Sequence, residues 1–292
     1  MQVYNNAPAY SVWKNYSINV MNMRKSMSKL SSGLKIESAG DDPAGLAMSE
    51  RLRAQYRNAA AAGNLIENQI SYLQTGDSWL QKIHDILGRM AELAVAANDG
   101  TKSATDRNNL QKEFRQMQLE IRRITTGSTA AAKYNGSALF QGGTKTVQVG
   151  PDYGQEFTSQ SINLTIGKMT SLGRLSASST TTVSWGSLIN TGHVSISVQS
   201  LASKAVAKLN LGIDYVSQLR AVVGAQQSRL THTLEGLRSY EDNIRAAESR
   251  IRDVDIAKET TSFSKYQILT QIGTAMLAQA NALPQGVVQL IG

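Results

Sequence analysis

Apolar residues recur in steps of three and four along three long stretches of the chain. In residues 66–94 every core-type position is apolar except Asp77. A longer frame of the same spacing covers residues 216–254, and a shorter one covers residues 110–124. This spacing places one apolar stripe along each helix, and each stripe requires a partner helix to cover it. The pattern therefore predicts a bundle of long helices.

Local signals predict where the first long helix begins and ends. Asp42 can accept hydrogen bonds from the free N–H groups of a helix start, and Pro43 suits the first turn because no donor is missed there. Asn98-Asp99-Gly100 is a strong turn signal, and Ser103 or Thr105 can cap the helix that follows. We therefore predict one helix from Pro43 to just before this turn, about 80 Å long at the standard rise per residue.

The middle of the chain changes to a period of two, which is typical of β-strands. The alternation occurs in three short runs, at residues 146–149, 162–166 and 194–198. A turn signal, residues 150–154, follows the first run. Residues 176–182 are rich in Ser and Thr without apolar periodicity and are predicted to form an exposed loop. We interpret this region as hairpins.

These patterns predict a mainly α fold, a long antiparallel helical rod or coiled-coil bundle formed by both chain ends, with a small β-hairpin region in the middle. Residues 1–40 and 260–292 are predicted to form a terminal coiled-coil layer. Residues 41–140 and 200–259 form the helical rod domain in this interpretation. Residues 141–199 form its tip, without a large variable surface domain.

Each chain end also carries a short amphipathic stripe. The N-terminal stripe comprises Ile18, Met21, Met27, Leu30 and Leu34, and the C-terminal stripe comprises Phe263, Leu269, Ile272, Met276, Ala280 and Leu283. Short helices of this kind are marginal in water when isolated. Their apolar faces therefore need each other or neighbouring subunits, which points to assembly.

Composition excludes several classes of protein. The 292 residues contain no cysteine, so disulfides, thiolate metal sites and cysteine nucleophiles are absent. No apolar run approaches the length of a membrane span, and the polar first 20 residues lack the layout of a cleaved secretory signal. We expect no membrane partner.

The chain is basic, with a formal charge of +8 and a pI of about 9.6. Its Lys and Arg residues are dispersed, and no basic block alternates with stacking aromatics. A solvated helix surface explains this charge better than a nucleic-acid partner. We expect no nucleic acid to bind.

No pattern in the chain indicates catalysis. There is no phosphate-binding glycine loop, and the three histidines, His84, His193 and His232, are far apart in the sequence. Adjacent Asp41 and Asp42 are typical of a helix cap rather than of an acid–base pair. We therefore predict a protein that is not an enzyme, with no catalytic, cofactor-binding or metal site and no cofactor.

Several motifs resemble those of bacterial flagellin, the subunit of the flagellar filament. They occur in the order of that family at residues 30–36 (LSSGLKI), 38–47 (SAGDDPAGLA), 89–98 (RMAELAVAAN), 224–230 (GAQQSRL), 249–255 (SRIRDVD), 278–281 (AQAN) and 284–285 (PQ). Together they span more than 200 residues at both ends of the chain. The chain is therefore similar to flagellin over most of its length.

The resemblance implies a structural subunit that polymerises into the extracellular flagellar filament for motility. The two termini would pair as the inner layer of the filament, disordered in the free subunit and ordered on assembly. The stripe residues that we assign to polymerisation are Ile18, Met27, Leu30, Leu34, Phe263, Leu269, Ile272, Met276 and Leu283.

The resemblance also implies specific partners besides other copies of the chain. A flagellar secretion chaperone would cover residues 254–292 until export, and hook–filament junction and cap proteins would contact the filament. A vertebrate Toll-like receptor senses some flagellins, and that contact maps by motif onto Arg89, Glu92, Leu93 and Glu113.

Three alternatives remain at the level of sequence. The hook–filament junction protein of the flagellum shares the paired terminal helices but joins unlike structures. A coiled-coil chaperone or adaptor would form a closed oligomer with ordered ends. An enzyme on the same scaffold would need nucleophile or metal motifs that the chain lacks.

Overall fold

The structure is a computed structural model that describes residues 6–126, 130–160, 162–164, 185–189 and 194–291. Within these ranges it contains six helices and four short strands. In chain order they are α1 (Ala7–Ser32), α2 (Pro43–Ala97), α3 (Ala104–Thr125), β1 (Lys133–Tyr134), β2 (Ser137–Ala138), β3 (Lys145–Gln148), β4 (Glu156–Ser159), α4 (Trp185–Ile189), α5 (Gln199–Arg252) and α6 (Ile256–Ile291). The predicted mainly helical fold is confirmed.

The ends of α2 and the start of α3 follow the predicted signals. Asp42 accepts hydrogen bonds through Oδ1 from the backbone N–H groups of Ala44 (3.1 Å) and Gly45 (3.0 Å) at the start of α2. Ser103 accepts from the N–H of Asp106 (3.2 Å), and the Asp106 carboxylate accepts from the N–H of Ser103 (3.0 Å). This reciprocal pair satisfies two N–H groups that a helix start otherwise leaves free.

The chain divides into two compact units, each described by itself below. The first comprises residues 1–57 with 240–292, and the second comprises residues 58–239. Unit 1 therefore contains both terminal helices, α1 and α6, and unit 2 contains α3, α4 and the strands.

The core of unit 2 is formed by the predicted helical stripes. α2 and α5 run antiparallel and are tied by ion pairs from Arg220 to Asp77 (2.8 Å) and from Arg238 to Glu67 (2.5 Å). Buried apolar side chains from α2, α3 and α5 fill the space between the helices: Ile66, Leu73, Leu80, Leu87, Phe114, Ile121, Val216, Val223 and Leu230. Burial of this apolar surface is the main stabilising contribution to the bundle.

The short helix α4 packs tightly on unit 2. A Cβ atom added at Gly212 of α5 would lie 2.9 Å from Leu188 Cδ1 of α4, so glycine permits this close approach. The buried Gln118 of α3 donates through Nε2 to the Leu188 carbonyl oxygen at 3.0 Å. α4 is thus held from two sides, by α5 and by α3.

The strands form two antiparallel hairpins. β1 and β2 join through Asn135 and Gly136, whose positive φ angles of 47° and 78° fit a two-residue hairpin turn. β3 pairs with β4 in a register that places Lys145 opposite Ser159, with the predicted turn between them. The hairpin region is therefore confirmed.

Two of the three predicted alternating runs do not form strands. Ile162 and Leu164 are buried beside an isolated bridge between Gln141 and Asn163, and Ile166 lies outside the described residues. Residues 194–198 are also outside any strand, although Val194 and Ile196 are buried. Alternation correctly indicated the burial of Ile162, Leu164, Val194 and Ile196 but not that of Val198, which is 52% exposed, and the prediction of strands is wrong.

Candidate functional site

The two terminal helices of unit 1 pair side by side in opposite directions. Near one end of the pair, Asn6 Nδ2 donates to the Ala280 carbonyl oxygen at 2.9 Å. Towards the other end, the hydroxyl of Ser26 donates to the Glu259 carboxylate at 2.5 Å, and Ser26 is buried. These two hydrogen bonds fix the register of α1 against α6.

Between these two links the helices approach closely at a glycine. A Cβ atom added at Gly273 of α6 would lie 3.0 Å from Tyr16 Cδ2 and 3.4 Å from Tyr16 Cβ on α1. The inner seam of α6 repeats in steps of four and three and consists of Glu259, Phe263, Tyr266, Thr270, Gly273, Leu277 and Ala280, all buried or half-buried. Such a repeat is typical of a coiled-coil seam.

The stripe residues predicted from the sequence divide into two groups. Leu30, Leu34, Phe263 and Leu269 are half-buried. Four others are exposed on the helix pair, namely Ile18 (41% exposed), Met27 (52%), Ile272 (51%) and Met276 (51%). The side chain of Leu283 lies outside the described part of the structure.

Several seam and surface residues were missed by the sequence reasoning. The seam includes polar or small residues such as Ser26, Thr270 and Gly273, which an apolar stripe does not reveal. A heptad frame drawn through residues 259–280 regardless of polarity would have found Thr270 and Gly273. The exposed side chains of Tyr10, Trp13 and Ile268 add to the surface that was predicted, and Met21 of the predicted N-terminal stripe is exposed as well.

The two connectors of unit 1 are joined by backbone hydrogen bonds. The N–H of Lys35, after α1, donates to the Arg252 carbonyl oxygen at 2.6 Å. The N–H of Val254, between α5 and α6, donates to the Gly33 carbonyl oxygen at 3.0 Å. Leu34 and Asp253 form the isolated bridge between these bonds. The segments leading to α1 and α6 are therefore held together.

Carboxylates around the connectors are held in their charged form. Hydrogen bonds from the hydroxyls of Ser32 and then Ser28 lower the pKa of Glu37. Backbone and side-chain hydrogen bonds from Ser38 lower the pKa of Asp41.

Glu50 is the third such carboxylate. A hydrogen bond from the Arg252 guanidinium lowers its pKa. Because the same Arg252 supplies the carbonyl oxygen that binds Lys35, this ion pair lies directly beside the backbone bridge.

The residues assigned to receptor contact lie in unit 2. Arg89 donates to the Glu113 carboxylate through Nε (3.0 Å) and Nη2 (2.8 Å), and to Glu92 through Nη1 (3.0 Å). These bonds raise the pKa of Arg89, Glu113 contributing most. Leu93 is buried beside this exposed cluster. The structure thus brings the three charged residues together on the surface, with Leu93 in the core.

Two other kinds of site were searched for in the described part of the chain. None of its helices is both long enough and apolar enough to cross a membrane. Its His, Asp and Glu residues form no group of three that could hold a metal ion.

Comparison with known proteins relates both ends of the chain to one family. The family model for the bacterial flagellin N-terminal helical region matches residues 3–145, and that for the bacterial flagellin C-terminal helical region matches residues 206–291. Proteins named flagellin from Halalkalibacterium halodurans and Bacillus subtilis are 39% and 37% identical, each over 100% of both chains. Flagellin FlaB2 of Treponema pallidum is 38% identical over 93% of each chain.

A solved structure is also similar. The crystal structure of Bacillus cereus flagellin is 27% identical, with a TM-score of 0.46, and the match covers 62% of this chain and 93% of that one.

The family models and the relatives of 37–39% identity define the chain as a structural subunit of a bacterial filament. It belongs to the bacterial flagellin family, whose members form the filament of the flagellum. The resemblance seen in the sequence motifs is confirmed, and none of these comparisons favours the hook–filament junction protein.

The lowered pKa values around the connectors predict an acid-sensitive junction. Because the folded-state pKa values of Glu37, Asp41 and Glu50 lie below their unfolded values, their stabilising contribution is present above about pH 5 and is lost as the pH falls below about 4.5. The amides of Lys35 and Val254 should therefore exchange hydrogen faster under acid conditions than chemical exchange alone explains. Hydrogen-exchange mass spectrometry across this pH range measures the effect.

Glu50→Gln removes one of these carboxylates. The amides of Lys35 and Val254 should then exchange hydrogen faster at pH 7, and their exchange rate should depend less on pH than in the unmodified chain. Asp242→Asn is a matched control, because Asp242 belongs to the same unit and is exposed, and its carboxylate has no hydrogen bond or ion pair to the described residues. Equal protection in the Glu50→Gln and Asp242→Asn variants at pH 7 would contradict the assignment.

Proposed function

We propose that the exposed apolar stripes of α1 and α6 form the contacts through which copies of this chain polymerise. The observation that carries the proposal is that Ile18, Met27, Ile272 and Met276 stay exposed although the seam between α1 and α6 is filled. Several large apolar side chains exposed on one helix pair indicate an interaction surface. Other copies of the same helix pair are the partner that a filament supplies.

The terminal layer is proposed to comprise residues 1–40 and 260–292, and the outer layer residues 41–140 and 200–259 with the hairpin region 141–199. In this proposal the terminal layer is disordered in the free subunit and orders on assembly. The seam mixes apolar residues with Ser26, Thr270 and Gly273, so one pair of helices buries less apolar surface than a fully apolar seam would. Ordering is then favourable only when neighbouring copies cover the outer stripes.

A charge placed in the α6 stripe should impair assembly. Ile272→Lys would force an ammonium group into the proposed contact, and burying an isoleucine contributes about 1.5–3 kcal/mol. We expect the critical concentration for polymerisation to rise about tenfold or more, as 1.4 kcal/mol corresponds to a factor of ten. Sedimentation of seeded filaments, checked by negative-stain electron microscopy, measures it.

Gln271→Lys is the matched control, since Gln271 is exposed on the same helix but lies outside the stripe and receives the same charge. We expect its critical concentration to stay within about twofold of the unmodified chain. Equal assembly of the Ile272→Lys variant would refute the role of this stripe.

We further propose that a secretion chaperone covers residues 254–292 before export. The apolar stripe of α6 that supports polymerisation is also the surface that a cytoplasmic partner must hide to prevent early assembly. A chain ending at Val254 should lose chaperone binding in size-exclusion chromatography and should not polymerise. Its unit 2 should still unfold cooperatively, and retained chaperone binding would place that site elsewhere.

Cap and hook–filament junction proteins are proposed as partners at the two filament ends. Contacts between unlike surfaces leave a growing polymer with two different ends, so each end needs its own partner. The role of this chain is structural rather than enzymatic in this proposal, and it is delivered to the extracellular flagellum. Labelled cap protein bound along the filament side instead of at one end would contradict this arrangement.

A vertebrate Toll-like receptor is proposed to contact Arg89, Glu92 and Glu113, with Leu93 supporting them from the core. Support comes from the exposed, mutually bonded charged cluster and from the motif match at residues 89–98. Arginine is often among the few residues that contribute most of the binding energy at a protein–protein interface. Arg89→Ala should therefore weaken binding to the receptor ectodomain at least tenfold in surface plasmon resonance.

Arg123→Ala is a suitable control for this experiment. Arg123 is an exposed arginine on α3 that pairs with Glu120 at 2.7 Å, so its removal breaks a similar surface ion pair. Similar losses of binding in both variants would show that the effect is not specific to the Arg89 cluster.

A further inference from the structure

α3 carries a basic stripe on the side opposite its buried residues. The α3 basic stripe consists of Lys112, Arg115, Leu119 and Arg122, spaced by three, four and three residues so that they share one face. The side chains of Arg115 and Arg122 have no hydrogen bond or ion pair to any described residue, and Leu119 is 40% exposed. The stripe therefore has charges and an apolar side chain available to a partner.

α2 carries a stripe of the opposite charge with the same spacing. The α2 acidic stripe consists of Asp85, Gly88, Glu92 and Val95, and Asp99 follows in the turn after the end of α2. Within the chain, Asp85 accepts a hydrogen bond from Gln81 Nε2 (2.8 Å) and Glu92 accepts one from Arg89 Nη1 (3.0 Å), which leaves each exposed carboxylate with further acceptor capacity. Val95 is 59% exposed, and a Cβ atom added at Gly88 would meet nothing within 4 Å. Gly88 is thus a shallow notch between two carboxylates.

The two stripes match when their helices run in opposite directions. Antiparallel alignment gives the facing pairs Arg122 with Asp85, Leu119 with Gly88, and Arg115 with Glu92, and it brings Lys112 between Val95 and Asp99. Parallel alignment of the same stripes would instead set Leu119 against Glu92. Only the antiparallel arrangement pairs opposite charges and places the apolar side chain at the notch.

The α3 basic stripe and the α2 acidic stripe of one copy cannot form ion pairs with each other. α2 and α3 already pack against each other in unit 2, where Arg89 binds Glu113 and Arg107 Nε donates to the Ala97 carbonyl oxygen at 3.0 Å. Both stripes lie away from the apolar residues that face the core. A surface with charges complementary to the α3 basic stripe is available on a second copy of this chain.

We propose that the α3 basic stripe of one copy docks antiparallel on the α2 acidic stripe of the next copy, with Leu119 seated at Gly88. The inference rests on the proposed polymerisation and names a second contact that serves it. Because α2 and α3 are antiparallel within a chain, antiparallel docking between chains leaves the two copies pointing in the same direction. Such a contact joins unlike surfaces and can repeat without closing on itself.

The charges in this contact set orientation and register more than affinity. Complementary charge patterns steer association and disfavour misaligned partners, while exposed ion pairs contribute modestly to stability and weaken with salt. The register is also restricted by shape, because the Leu119 side chain fits where Gly88 has no side chain.

Cysteine cross-linking between copies tests the geometry directly. The chain has no native cysteine, so Gly88→Cys and Leu119→Cys can be prepared as separate single variants. Filaments grown from an equal mixture should yield disulfide-linked dimers on mild oxidation, because a disulfide requires Cβ atoms about 4 Å apart. Filaments of either variant alone should yield none.

The outcomes separate this inference from the proposed function. If the unmodified chain forms no filaments, the proposed polymerisation is wrong and this contact is wrong with it. If mixed filaments form but give no dimers, or give no more than the unmixed filaments, only the contact is overturned.

A charge swap provides a second test that does not depend on the cysteine variants. Asp85→Arg and Arg122→Glu should each raise the critical concentration about tenfold, and the double variant should return it to within about threefold of the unmodified chain. Lys204→Glu, at an exposed position on α5 outside both stripes, should have little effect and controls for the change in net charge. A double variant no better than the worse single variant would overturn the pairing.

Discussion

The pairing of the two chain ends is the interaction on which unit 1 depends. Asn6 binds the carbonyl oxygen of Ala280, which lies 274 residues later in the chain. A contact of such sequence separation has a high entropic cost, and the hydrogen-bonded bridge between the connectors reduces it by bringing the starts of the two helical arms together. With the seam filled, Ile18, Met27, Ile272 and Met276 remain exposed on the helix pair.

Much of the fold could be predicted from the sequence because the relevant signals are local. Asp42 and Pro43 fixed the start of α2, and the turn at residues 98–100 fixed its end, because capping and turn formation depend on neighbouring residues. The seam of the terminal pair was not predictable in the same way. Gly273 and Ser26 belong to it because of what lies opposite them, Tyr16 and Glu259, and apolar periodicity contains no information about polar or small seam residues.

The difference between local and tertiary signals also explains why two of the predicted strands did not form and why the surface was only partly predicted. Val194 and Ile196 alternate because they are buried, but a strand also needs a neighbouring strand, which the alternation of one segment does not specify. The dispersed basic residues were interpreted as a solvated helix surface. In unit 2 several of them instead bind carboxylates on other helices, as Arg220 and Arg89 do, and this pairing depends on the tertiary structure.

The two units expose different kinds of side chain, apolar in the terminal helix pair and charged on α2 and α3 of unit 2. This difference suits an ordered polymer. The terminal helix pair exposes apolar side chains such as Ile272 and Met276, which favour association but specify position poorly because the hydrophobic effect is non-directional. Unit 2 exposes charges at matched intervals on α2 and α3, which specify register but contribute less affinity. A filament needs both, since a subunit that adheres strongly in many registers would produce aggregates. In the filament that we propose, apolar contacts would supply the free energy of subunit addition, and the charged stripes would restrict addition to one arrangement.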